Sequence, residues 1–581
     1  MSAPFYYNLT HSREEKIKAF FNCKTPRDIT DVLEFTYSKY FYYRFHQKSI
    51  YSKFDIPKKD GSFREIWAPN GGLKEIQRRL NAILQVAIKQ KNCNHGFIKG
   101  RSIVTNAKIH RNRKYVLNFD LADFFPSIHF GRVKGLFESA PFKFNSETSS
   151  FLANLSCFNG RLPQGAPTSP IISTLISRKL DNELMALCLR NKCNYSRYAD
   201  DITISTFVKE LPTEIGKIDA PGKIELSSAI KESVISNGFA INSGKTRLSL
   251  RFQSQTVTGL KVNKIVNVHR SVVREARGML NALDKYGPEK AQAQLNSHYN
   301  NGTRPKNFIQ TLRGKLGFIG MVKGFENSVY IGLIAKANSI DSTIKLSSQI
   351  LKSPKNHPIV LTEGKTDWKH LKKALKQLKL LGQFETLTVN FKEWTDGAQI
   401  NNTELMKICE SLSKLDTQKA TMIFLFDNDR PEITKKALSE DLPYKYWGNN
   451  IYSTVLPQSR AFPAVNEVCI EHFYNENDLK IEDENGRRLY LSNEFNKKDK
   501  LHLTIPGLRC ESDKIKSQEL AIIDNSVFNE LDKNVALSKN DFAKSILGGK
   551  KNFENVNFDA FESIFSRIGD IILYHRLAQN N

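Results

Sequence analysis

Short apolar runs alternate along the chain with longer stretches in which apolar positions recur every three or four residues, so strands and amphipathic helices are interleaved throughout. Lys114–Leu121 (KYVLNFDL) reads as a buried strand that delivers Asp120 at its end and Asp123 just beyond, before Phe124-Phe125-Pro126. Tyr195–Ser205 (YSRYADDITIS) holds two strand-like runs around Ala199-Asp200-Asp201, a hairpin with carboxylates at its tip. Between them, the glycine- and proline-rich loop Arg161–Pro170 (RLPQGAPTSP) leads into a helical pattern over Ile171–Leu184. Val268–Gly324 carries further helical patterns rich in arginine and lysine. Beyond a turn at Ser353-Pro354-Lys355-Asn356 the period changes to a β/α alternation. Strand His357–Thr362 ends in Glu363-Gly364-Lys365-Thr366-Asp367, followed by helix Trp368–Leu380, strand Glu385–Asn390, helix Thr403–Leu415 and strand Thr421–Phe426, which ends in Asp427-Asn428-Asp429.

With 581 residues the chain is too long for one core, and 40% hydrophobic with 25% charged residues is the composition of a globular protein. The formal charge of +26 is unevenly placed. Residues 1–356 hold 55 Lys and Arg against 27 Asp and Glu, net +28; residues 357–581 hold 31 against 33, net −2. Such a one-sided excess repels itself unless it serves a polyanion, and nucleic acid is the leading partner. No apolar run is long enough to span a bilayer and the amino-terminal stretch lacks a secretory signal core, so a cytoplasmic protein without a membrane partner is expected. The eight cysteines are scattered without a CxxC, which supports neither a zinc ribbon nor a disulfide framework.

Carboxylates placed side by side repel and call for a cation. An isolated Asp-Asp pair is commonly a solvated turn, but here two acidic clusters are separated by the glycine loop and its helix. Two Mg²⁺ held by Asp120 and Asp200, with Asp201 in support, would clamp an attacking hydroxyl and a leaving pyrophosphate. The aspartate strand, the LPQGAPTSP loop and the YADD hairpin, in this order and spacing, resemble the motifs of reverse transcriptases. The resemblance implies an α+β right-hand polymerase with fingers, palm and thumb. It assigns Lys58, Lys59 and Arg64 to template or triphosphate, Gln164 and Gly165 to the base pair, Phe125 to exclusion of a ribose 2′-hydroxyl in favour of dNTPs, and Lys245 of Asn237–Thr246 to the departing pyrophosphate. Asn106-Ala107-Lys108-Ile109-His110 matches the NAxxH element of retron reverse transcriptases and Val257-Thr258-Gly259 their VTG element. This narrower resemblance covers about residues 1–340. It implies a cognate structured non-coding RNA (msr/msd) bound in part through Asn106, His110, Val257, Thr258 and Gly259, priming from an internal guanosine 2′-hydroxyl, and a branched RNA–DNA product, msDNA.

The pairing of EGKTD and DND after apolar strands is similar to the TOPRIM domain, in the form found in overcoming-lysogenization-defect nucleases. That implies a Rossmann-like parallel sheet with Glu363, Asp427 and Asp429 at the catalytic centre, Asp367 and Glu471 as further ligands of Mg²⁺ or Mn²⁺, and Lys539 beside the scissile phosphate of a DNA or RNA target. The expected organisation is a reverse transcriptase over 1–340 (fingers and palm to about 262, thumb about 263–340), a linker over 341–356, and a TOPRIM nuclease-like effector over 357–581 serving anti-phage defence. The competing readings are another bacterial reverse transcriptase, of group II intron or diversity-generating type, and an RNA-binding scaffold with an inactive second half. The oligomeric state stays open.

Overall fold

The computed structural model describes residues 13–57, 61–220, 223–298, 307–341, 356–394, 400–415, 417–516 and 520–580. Lys58, Lys59 and nearly all of the expected linker lie outside them. The chain divides into two compact units, Met1–His269 and Arg270–Asn581. The helices expected as a thumb therefore group with the carboxyl-terminal half, and the functional division at 341–356 stays a proposal.

The first unit is built on an antiparallel sheet. Strands β1 (Tyr51–Pro57) and β2 (Phe63–Pro69) form a separate hairpin, and β3 (Tyr115–Ala122), β4 (Cys193–Tyr198) and β5 (Asp201–Thr206) enter the main sheet. A second small hairpin, β6 (Gly216–Ala220) and β7 (Lys223–Leu226), precedes β8 (Ala240–Leu250), which completes the order β4-β5-β3-β8. Along β3, Leu117, Phe119 and Leu121 are buried in the core while Asn118, Asp120 and Ala122 are half-buried on the opposite face. The two-residue period of a strand thus turns the aspartate outward as it turns the aliphatic residues inward.

The expected helix Ile171–Leu184 is two helices, Ser169–Ile176 and Arg178–Arg190. The break falls at buried Ser177, whose hydroxyl donates to the Ser173 carbonyl at 2.8 Å, a back-bond that bends helices. A last hairpin of this unit, β9 (Thr256–Val257) and β10 (Leu260–Lys261), turns through Thr258 and Gly259, both with positive φ (45° and 79°). Glycine is needed at the second of these turn positions to keep the hairpin at two residues.

The second unit opens with helices Arg270–His298, Phe308–Lys323 and Ser328–Ile340, the first kinked at Gly287 (φ 75°) before Pro288. Its sheet contains β11 (Ile359–Thr362), β12 (Asn390–Phe391), β13 (Met422–Phe426), β14 (Tyr444–Gly448) and β15 (Ile451–Val455), in the order β12-β11-β13-β15-β14. All neighbours are parallel except β14, which joins β15 antiparallel through left-handed Asn449 and Asn450. The strand expected over Glu385–Asn390 is confined to Asn390–Phe391. The chain leaves helix Asp367–Leu380 through left-handed Gly382 and Phe384, and pairing begins only where Asn390 N donates to the Pro358 carbonyl. Helix Ser328–Ile340 packs on helix Asn402–Leu412, where the Ser328 hydroxyl bonds Glu404.

Candidate functional site

In the first unit the sheet register sets Asp120 directly opposite Asp201. The β4–β5 turn is Ala199-Asp200, with Ala199 in the left-handed region (φ 59°). A side chain there costs about 1–2 kcal/mol, and three contacts hold it. Arg197 Nη1 donates to the Ala199 carbonyl at 3.0 Å, Leu121 N donates to the Asp200 carbonyl at 3.0 Å, and Gly96 packs so closely that a Cβ would stand 2.6 Å from Ala199 N. Strain fixed in this way at a carboxylate-bearing tip marks a functional site.

Lys245 arrives by a long bulge. Asn118 pairs with Arg247 and Asp120 with Asn242, so Phe119 alone faces the four residues Ser243–Thr246 of β8. The looped-out segment sets Lys245 Nζ 2.6 Å from Asp120 Oδ2. Burial raises the Asp120 pKa, but the hydrogen bond from Asp201 and the charge of Lys245 outweigh it and lower it. Burial, then the hydrogen bond and charge of Asp120, push Asp201 well up; Asp200 is raised mainly by burial, with Arg64 among the cations that oppose the shift. A polar cavity of about 390 Å³ runs from Asp120 and Asp201 past Thr203 and Arg247 to Thr258 and Gly259.

The glycine loop packs on the β1–β2 hairpin. Trp67 N of β2 donates to the Gln164 carbonyl at 2.8 Å. Gly165 has φ 127°, and a Cβ there would lie 2.6 Å from Ile66 Cγ2 and 2.9 Å from the Trp67 carbonyl. The glycine is therefore required by the hairpin β1–β2 packed on it. Phe125 is half-buried beside Phe124 and Phe97.

The NAxxH residues need a correction. Asn106 and His110 are buried, as is Val257, and they cannot touch RNA directly. His110 instead hydrogen-bonds Ser205 Oγ and Ser196 Oγ, both at 2.7 Å, and Ser196 donates to Asn106 Oδ1 at 2.6 Å. The motif ties helix Ile103–Ile109 to both strands of the aspartate hairpin. Thr258 reaches the same helix through the Ile103 carbonyl (3.3 Å). Of the expected RNA contacts, Thr258 and Gly259 alone reach the surface.

Sequence reasoning missed the support beneath the hairpin. Asp181 of helix Arg178–Arg190 accepts from Arg197 Nε, Arg197 Nη2 and Tyr195 OH, each at 2.8 Å. Burial alone would lower the Arg197 pKa; Asp181 outweighs it and raises it. The available signal was the alternation Tyr195, Arg197, Ala199, which points an arginine inward.

In the second unit the expected acidic residues share one electrostatic neighbourhood at the carboxyl ends of β11 and β13. Burial raises Glu363, with Asp429 adding to it; burial and then Glu471 raise Asp367; burial, Asp367 and Glu363 hold Asp427 well above the carboxylate range. Burial would raise Glu471 too, but Lys539, at 2.7 Å, brings it down to about 2. Lys539 opens helix Lys539–Gly548. Asn402, unforeseen in sequence, is buried and donates from Nδ2 to Asp429 Oδ1 at 2.8 Å, while its backbone N–H serves Glu363.

Among the described residues no three His, Cys, Asp or Glu side chains close around one ion. The donor chemistry still fits a hard divalent cation: both sets of expected ligands are carboxylates, burial and mutual repulsion disfavour their ionisation until a cation meets them, and Glu363 Oε2 is buried without a hydrogen-bond partner.

Paired carboxylates on the open face of an antiparallel sheet, with a lysine above and an arginine-bearing hairpin near, are the arrangement that metal-assisted nucleotidyl transfer requires. The model of the reverse transcriptase (RNA-dependent DNA polymerase) family matches residues 56–271. The retron Mx162 reverse transcriptase of Myxococcus xanthus is 32% identical over 369 residues, covering 58% of this chain and 72% of its own. The retron Ec73 reverse transcriptase of Escherichia coli is 36% identical over 40% of this chain and 76% of its own, and the retron Ec86 enzyme of E. coli 32% identical over 40% and 70%. The chain belongs to the retron reverse transcriptases. Among solved structures, telomerase from Candida albicans in complex with a fragment of telomeric RNA aligns at TM-score 0.30 and 10% identity, over 51% of this chain and 64% of that one, which is too weak to bear on the fold. Among the described residues no helix is long and apolar enough to cross a membrane.

Proposed function

We propose that the chain copies a cognate msr/msd RNA into branched msDNA, and that its second half is a TOPRIM-type nuclease used against phage. The observation that carries the first part is the pairing of Asp120 with Asp201 beneath Lys245, with Asp200 at the hairpin tip. A guanosine 2′-hydroxyl oxygen, and then each new 3′-hydroxyl oxygen, forms a bond to the α-phosphorus of a dNTP while the bond to pyrophosphate breaks. Lys245, kept protonated by Asp120, would meet the charge of the departing pyrophosphate. Arg64 lends further positive charge to Asp200. Mg²⁺ held by Asp120, Asp200 and Asp201 would offset the phosphate charge and acidify the hydroxyl.

In the second unit, Glu363, Asp367, Asp427, Asp429 and Glu471 would hold Mg²⁺ or Mn²⁺ for phosphodiester hydrolysis. Lys539 would keep Glu471 ionised and present a cation to the target strand. Co-expression with the adjacent non-coding RNA tests the first reading: wild type yields RNase- and debranching-sensitive DNA, and Asp200→Ala/Asp201→Ala yields none. Equal product from both overturns it. Cleavage of DNA and RNA pools by wild type, lost in Glu363→Gln/Asp427→Asn, tests the second; cleavage that survives this change excludes the acidic cluster.

A further inference from the structure

Helix Tyr37–Phe45 and the turn after it have an outer surface that the polymerase site does not use. Their inner stripe is Tyr40, Tyr43, Gln47 and Ile50, of which Tyr40 and Ile50 are 4% and 8% exposed. A solvated outer face is normally charged and polar. Here it carries Phe41, Tyr42 and Phe45, at 41%, 51% and 72% exposure. The rings form two ladders along the helix: Phe41 and Phe45 are nearly parallel (6.3 Å, 12°), as are Tyr42 and His46 (4.7 Å, 20°). The Arg44 guanidinium lies 5.8 Å from the Phe45 ring centre.

Charge decides what such a face can meet. Residues 35–52 contain Lys39, Arg44 and Lys48 and no aspartate or glutamate, while the next cation, Lys53, is already paired with Glu65. A second copy would bring the same charge and be repelled. An acidic strand with flat bases satisfies both features, because phosphates meet the cations while each base has a π-face for a ring. The aromatic character continues into the next element, where Phe54 and Phe63 of the β1–β2 hairpin are 48% and 65% exposed.

We infer that the outer face of Tyr37–Phe45 and its following turn is a stacking platform for an unpaired nucleic-acid segment, bound by ring–base contact at Phe41, Tyr42 and Phe45 and by phosphate contact at the neighbouring cations. This rests on the chain acting on nucleic acid, and adds a single-strand site outside the aspartate cleft. It recognises bases by their flat faces, so it accepts RNA and DNA without sequence preference.

The test uses the full-length protein and end-labelled strands of about 12 nucleotides: oligoadenylate as RNA, the same as DNA, and an abasic strand of equal charge. Binding is read by fluorescence anisotropy at fixed salt. Phe41→Leu/Tyr42→Leu/Phe45→Leu keeps the apolar volume and removes the rings. Loss of one base stack weakens binding by about fivefold or more, so the triple variant should lose at least that on both base-bearing strands and under about twofold on the abasic one. Tyr42→Trp/Phe45→Trp should bind as tightly as wild type or tighter. Equal losses on abasic and base-bearing strands, or no loss on either, overturn the inference. So does a ring-dependent change of oligomeric state or of binding to anionic lipid vesicles without a change in oligonucleotide binding. Extension of a primed RNA template by wild type reports separately on the polymerase reading.

Discussion

Removing Asp181 should undo the aspartate hairpin from beneath. Arg197 and Asp181 side chains are 0% and 1% exposed, so Asp181→Ala leaves a guanidinium in the core with two of its donors, and the Tyr195 hydroxyl, unmatched. Breaking a buried pair on one side costs about 3–5 kcal/mol, a large part of the roughly 5–15 kcal/mol that stabilises a domain. Replacing both partners with apolar residues, Asp181→Leu/Arg197→Met, removes the stranded charge and should recover part of that loss, the Tyr195 hydroxyl staying unmatched. It cannot restore the bond from Arg197 Nη1 to the Ala199 carbonyl, which steadies the strained turn before Asp200. Stability and activity should therefore separate. Hydrogen exchange on the amides of residues 193–206 reads the first, and primer extension the second. Asp181→Ala should lose both; the apolar pair should regain part of the protection and stay poorly active. Unchanged exchange in Asp181→Ala would refute the reasoning about stability, and full activity in the apolar pair would refute the role given to Arg197.

Other consequences follow from single contacts. Gly165→Ala forces a Cβ to 2.9 Å from the Trp67 carbonyl at φ 127°, and should cost about 1–3 kcal/mol, seen as a lower melting temperature and weaker primer–template use. His110 is held neutral, its pKa pushed down to about 3 chiefly by burial, with Arg113 and His95 adding. The unfolded chain takes up a proton near pH 6.5 and the folded one does not, so this contribution is intact above pH 6.5 and lost as pH falls toward 3, at about 1.4 kcal/mol per unit. Between pH 7 and 5 wild type should lose about 2 kcal/mol that His110→Gln does not, measured by urea unfolding; parallel pH curves would contradict it. Lys245→Ala should lower kcat for primer extension by about a hundredfold with a smaller change in KM, and an unchanged kcat would remove Lys245 from the pyrophosphate end.

The parts of the site that follow from local pattern were readable from sequence, and those that depend on tertiary partners were not. Asp120 faces outward because the strand period is two, and the YADD turn is short because its flanking runs are; both need only neighbours in the chain. The purposes of Gly165 and His110 depend on β2 and on Ser196 and Ser205, which lie far away in sequence. The packing demand on Gly165 is therefore not visible in sequence, and His110 reads as an RNA contact although it is buried. The break at Ser177 comes from a hydroxyl that competes for a helical carbonyl, invisible to an apolar count. Asp181 and Asn402 carry no motif, and only folding puts them beneath Arg197 and beside Asp429.

The most direct measurement is dNTP incorporation on a primed RNA template by the purified full-length protein, comparing wild type with Asp200→Asn/Asp201→Asn, with and without a chelator. Synthesis by wild type alone, abolished by the chelator, is the predicted result. Synthesis that persists in the double variant would place the polymerase centre elsewhere than at Asp120, Asp200 and Asp201.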